Sequence, residues 1–110
     1  MAQALNIFKS TQANLTSTLS SIYTAPTGYT TVVLSATISN ISSGTIQVSA
    51  AHVRAGNSTS IITAASAPPN DAISLISGKM ILQTGDSFYA NCNPSGAGQI
   101  IISYLETSNP

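Results

Sequence analysis

The chain is poor in charge. Three Lys/Arg and three Asp/Glu make up 5% of 110 residues, with a formal net charge of zero; an ordinary soluble domain is about 25% charged. That scarcity removes whole classes of function. No basic patch exists to neutralise phosphates, which argues against nucleic-acid binding. No polybasic segment exists to hold an anionic membrane surface. Tryptophan is absent and Cys92 is the sole cysteine, so an intramolecular disulfide and a cysteine metal cluster are both out of reach. Long apolar runs are missing too. The longest are three residues, as at Ile100-Ile101-Ile102, whereas a spanning helix needs about 20. Residues 1–20 lack the basic start and apolar stretch of a signal peptide, so synthesis in the cytoplasm without export is expected.

What is present is hydroxyl and hydrocarbon. The chain has 18 Ser and 13 Thr, and hydrophobic residues are 43% of it. Apolar content this high with no net charge argues against disorder. The length suits one domain. Asn-X-Ser/Thr sequons at Asn14, Asn40 and Asn57 mean little without export.

The hydrophobic period is two almost throughout, which reads as strands. Over 31–40 the even residues Val32, Leu34, Ala36 and Ile38 alternate with a largely hydroxylated odd set, predicting a half-buried strand with its even side inward. Ala25-Pro26-Thr27-Gly28 suits a type I turn. After Ile46, Val48 and Ala50 the phase slips, and a bulge near Ala50-Ala51 would keep Val53 inside and turn His52 and Arg54 outward. Gly85-Asp86 stands where a two-residue type II′ hairpin loop belongs. Residues 99–106 are apolar on both faces. Seven or eight short strands separated by polar turns predict an all-β fold, a single antiparallel β-sandwich, immunoglobulin-like or jelly-roll-like, over residues 15–110. Residues 1–14 alternate weakly and stand apart as an N-terminal arm or edge strand.

Chemistry has few reagents here. A Cys92–His52 pair is conceivable, but Cys92 shares a strand face with Phe88 and Ala90 and reads as a core residue. Asp71, Asp86 and Glu106 are far apart in sequence, and only a meeting in space would make a calcium site. Tyr23, Tyr29, Tyr89 and Tyr104 could form a sugar-stacking platform, though packing is the commoner use of such rings. No catalytic residue, cofactor or metal is therefore expected.

The missing charges carry the functional expectation. With almost no long-range repulsion between copies and few lysines to blunt strand edges, the domain is expected to live packed against copies of itself or a partner. Leu5, Ile7 and Phe8 of the arm, with Ile101 and Leu105 of the last strand, are the candidate contact residues. For the last strand the alternative is a central position with its second face covered.

Several segments occur in an ordered series: Tyr23-Thr24-Ala25-Pro26-Thr27-Gly28, a β-rich run to Asn40, Ile73 to Lys79, Leu82-Gln83-Thr84-Gly85-Asp86 and Ile102-Ser103-Tyr104-Leu105-Glu106. The series resembles small β-sandwich virion proteins of tailed bacteriophages, marine and cyanobacterial ones especially, over roughly residues 15–106. The chain departs from that group in its lower charge and its free Cys92. The resemblance implies a non-enzymatic capsid decoration or cement subunit in the virion, made in a bacterial cytoplasm. Its partner would be the major capsid protein or another virion protein, and it would form a homo-oligomer, a trimer by preference. Neck, tail or fibre modules are the alternative within that class; a receptor- or glycan-binding module is the alternative outside it.

Overall fold

Alternation at period two builds strands along nearly the whole chain. The computed structural model describes residues 6–76 and 78–108. Nine strands lie among them: β1 (Asn6–Asn14), β2 (Ser20–Thr24), β3 (Tyr29–Asn40), β4 (Ile46–Arg54), β5 (Asn57–Ala67), β6 (Ala72–Ser74), β7 (Met80–Leu82), β8 (Ser87–Asn93) and β9 (Gly98–Ser108). They form two antiparallel sheets packed as a sandwich. In the first the order is β1-β9-β3, with β6 and β7 in succession along the far side of β3; in the second it is β2-β8-β4-β5. The core lies between them. Val33, Ile38 and Ile102 come from one sheet and Val48, Phe88 and Cys92 from the other, all fully buried.

The fold class is as expected, with more strands than anticipated. Residues 6–14 run along β9 in unbroken register as an edge strand. Two three-residue strands, β6 and β7, share the length of β3.

The phase of two strands differs from the simple alternation. In β3 the register against β9 shifts between Val33 and Ser35. Before the shift Thr31 and Val33 are buried; after it Ala36, Ile38 and Asn40 are. The bulge at Leu34 therefore puts Val32 on the outer side. The buried Thr31 hydroxyl is satisfied by the Tyr23 hydroxyl at 2.8 Å. In β4 the expected slip does not occur. The strand stays in step with β8 from Gln47 to Val53, so His52 and Arg54 keep the phase of Val48 and Ala50. The irregularity lies in the pairing of β4 with β5, whose register shifts between Val48 and Ala50 and again between Ala50 and Ala51, at the expected position but without changing the phase of β4 against β8. An edge strand absorbs extra residues more easily than a central one.

Turns are displaced by one residue from the expected pattern. Tyr29 N–H donates to Pro26 C=O at 3.1 Å, with Gly28 third in the turn at φ 84°. A positive φ in that place marks type II and suits glycine. Asp86 N–H donates to Gln83 C=O at 2.8 Å with Gly85 at φ 87°. That second turn is no hairpin, because β7 and β8 belong to different sheets. Asn40, at 2% exposure, closes the other end. Its amide donates to the carbonyls of Gly44, Ala67 and Pro68, and its carbonyl accepts from Ser42. Burial rules this sequon out as a modification site in the folded chain.

Candidate interaction surface

The few ions are mostly spent on one another. Glu106 is buried and pairs with Lys9 Nζ at 2.9 Å, and it accepts a 2.5 Å hydrogen bond from the Tyr23 hydroxyl. Burial works to raise the Glu106 carboxyl, but the hydrogen bonds from Tyr23 and Lys9 and the lysine charge outweigh it and hold the group below its ordinary value. Burial, with help from Glu106, pushes the Tyr23 hydroxyl well above its usual range. The Tyr23 ring lies against Tyr104 with centroids 4.2 Å apart, and the Tyr104 hydroxyl meets Thr11 at 2.8 Å. These two rings tie the sheets together; they are not an exposed platform.

A second cluster surrounds Asp86, also buried. Arg54 holds it through Nε at 2.9 Å and Nη2 at 2.7 Å, the Gln83 N–H donates to it at 2.9 Å, and His52 Nε2 stands 3.4 Å away. The arginine hydrogen bonds, opposed by burial and aided by the Gln83 N–H, pull the Asp86 carboxyl below its ordinary range. This explains the polar residues at the inward-phase end of β4. His52 pairs across the ladder with Phe88 and Val48 with Cys92, so the imidazole and the thiol stand four residues apart along the sheet. Cys92 is buried, its Sγ near the carbonyls of Leu15 and Pro94. Among the described residues no three His, Cys, Asp or Glu side chains gather as metal ligands.

The notable surface is the outer side of the first sheet. Directly opposed residues in a ladder share a face, so the register assigns five rows there. Phe8, Leu105, Val32 and Ile81 form one continuous apolar row across β1, β9, β3 and β7. Ser10, Ser103 and Ser35 follow, then Gln12, Ile101, Thr37 and Ser74. The outermost rows are Asn6, Thr107 and Thr30 at one end and Asn14, Gln99, Ser39 and Ala72 at the other. None of these residues is charged. Phe8 is 74% exposed, Ile81 48% and Ile101 45%. A shallow groove beside the apolar row is lined by Phe8, Lys9, Ser10, Ser103, Tyr104 and the bulged Leu34.

No family model matches the chain, and no curated protein does. Its fold is similar to that of a solved chain from work on Bacillus endospore appendages, described as a novel family of disulfide-linked pili. The TM-score is 0.58 at 10% identity, covering 99% of this chain and 93% of that one. A pentameric capsid protein isolated from metagenomic phage sequences gives a TM-score of 0.42 at 13% identity, over 90% of this chain and 60% of that one. At 10% identity the first likeness speaks for the two-sheet architecture.

The five candidate contact residues fall in different places. Phe8, Ile101 and Leu105 share the outer face, and Ile7 points to its opposite side, level with Glu106. Leu5 lies outside the described residues. β9 is a central strand, and its outer side is left uncovered by the other described residues. Val32 and Ile81 were not among the candidates. Only the register of β3 against β7 and β9 aligns them with Phe8 and Leu105.

Proposed function

We propose that the chain is a non-enzymatic structural subunit of an ordered protein assembly, and that within a virion it decorates or cements the capsid. The observation that carries this reading is the uncharged outer face of the long sheet with its exposed apolar row. Four of the six charged side chains sit in two ion pairs, Lys9–Glu106 and Arg54–Asp86. A free monomer would gain nothing from such a face, whereas a subunit fixed among neighbours buries it. The decoration role itself rests on the sequence resemblance to tailed-phage virion proteins. Mechanistically, a stiff sandwich spanning the seam between shell subunits adds interface at each seam, and repetition makes modest contacts sufficient.

The pilus reading is the natural competitor, because the fold is shared with a chain from disulfide-linked appendages. Cross-linking of that kind is closed to this folded chain through Cys92, which is buried. The test is the amount of this chain in purified particles. A copy number comparable to that of the shell protein supports decoration. A small fraction of it moves the chain to the neck, tail or a fibre, and absence from particles rejects the virion reading.

A further inference from the structure

The outer face of the long sheet has the make-up of a contact, and its register says which contact. We propose that it packs against the same face of a second copy, about a two-fold axis running parallel to the strands between β9 and β3. This deepens the reading above by naming the partner of one face of the subunit.

Charge favours a second copy. A face without Lys, Arg, Asp or Glu meets itself with no like-charge repulsion and no ion to desolvate. An acidic or basic partner would find nothing there to pair with. Area is sufficient as well. Three strands of about nine residues with the six residues of β6 and β7, at a strand spacing of about 4.8 Å and a rise of about 3.4 Å, give a flat area of roughly 540 Å² per copy. Two copies bury about 1,100 Å², and side-chain relief brings this to the lower bound of about 1,200 Å² for a stable specific interface.

The order of the rows selects the axis. Rotation about a line parallel to the strands exchanges the β1 side with the β6/β7 side and β9 with β3, so every row faces its own counterpart. Phe8 meets the partner's Ile81, Leu105 meets the partner's Val32, and Ser103 meets the partner's Ser35. Apolar residues stack on apolar ones, and serines on serines. Rotation about the apolar row itself would leave two of the five rows overhanging, because that row is second from one end.

The test uses the full chain. Sedimentation equilibrium should give a dimer mass. Phe8→Asp changes a side chain that is 74% exposed, so the fold survives, as a circular-dichroism melt checks. The variant should weaken the dimer by at least about tenfold. Leu19→Asp, in the loop entering β2 of the other sheet, should leave the mass unchanged. The decisive variant is Phe8→Cys with Ile81→Cys. Within one chain these positions are three strand spacings apart, about 14 Å, beyond the roughly 7 Å limit for a disulfide. Packed sheets lie about 10 Å apart, also beyond a direct disulfide, so a short bis-thiol-reactive cross-linker that spans that gap and not the longer one within a chain is used. It can join only two chains, and peptide mapping should find position 8 bridged to position 81. Phe8→Cys alone should give no bridge, since the two copies of that position lie at opposite edges. A monomer at high concentration, a trimer, a dimer indifferent to Phe8→Asp, or failure of the 8–81 bridge overturns the proposal. If the chain is abundant on particles yet monomeric in solution, this inference falls and the structural reading stands. If it dimerises through this face and is absent from particles, the virion reading falls and the inference stands.

Discussion

Single residues decide how a nearly ion-free chain tolerates the ions it has. Glu106 and Asp86 are buried, and each is held by a cation and a second donor. Removing one donor from a buried carboxylate strands the charge. Tyr23→Phe deletes the hydroxyl that serves both Glu106 and Thr31, and should cost about 1.5–3 kcal/mol in denaturant unfolding. The two carboxyls also set the acid limit of the fold. Both are held below their ordinary values, so as pH falls the unfolded chain takes up protons first. Their contribution is present above the unfolded value near 4 and is lost as pH falls through the lower folded values. Thermal melts should therefore be flat from neutral pH to about 5 and fall steeply below about 4. Asp86→Asn should lower the neutral-pH melting temperature, and its gap from the parent chain should shrink in acid. A gap that stayed constant to low pH would mean that ionisation of Asp86 is not what stabilises the fold.

Elements are where the amino-acid sequence spoke most clearly and also where it misled. Alternation located most of the strands, and the stretches rich in proline, glycine and serine located the breaks. Phase was harder. A bulge can be made from almost any residue, so nothing at Leu34 announced that Val32 would turn outward. Arg54 is exposed, as its charge suggests, but its guanidinium reaches a buried partner, Asp86, 32 residues away, which no local pattern announced. The contact face was half legible for the same reason. Phe8, Ile101 and Leu105 stand out as apolar residues, but a row across four strands exists only once register is known. The turns allow a sharp comparison. Gly85 holds φ 87°, and Gly44 has an ordinary backbone with open space where a side chain would go. Gly85→Ala should destabilise by about 1–2 kcal/mol, while Gly44→Ala should be neutral or stabilise by up to about 1 kcal/mol. Equal effects in chemical denaturation would contradict this account of the 83–86 turn.

At the scale of the whole molecule, a neutral contact face has a measurable consequence. The molecule is elongated, 51 × 26 × 21 Å, and its long sheet presents one broad side without charge. The remaining ions are the two internal pairs and Asp71 and Lys79, which precede β6 and β7 in exposed loops at the rim. Association through that side gains its free energy from apolar burial and neutral hydrogen bonds, not from ion pairing. Salt screens charges at a Debye length of about 10 Å at 0.1 M and about 3 Å at 1 M, and here there is little to screen. The dissociation constant of the self-associated form should change by less than about threefold between these two salt concentrations. An interface built on ion pairs would weaken markedly over the same range. Light scattering along a salt series separates the two, and dissociation at high salt would place the working contact at Lys79, Asp71 or the exposed parts of Lys9 and Arg54 instead of the uncharged face.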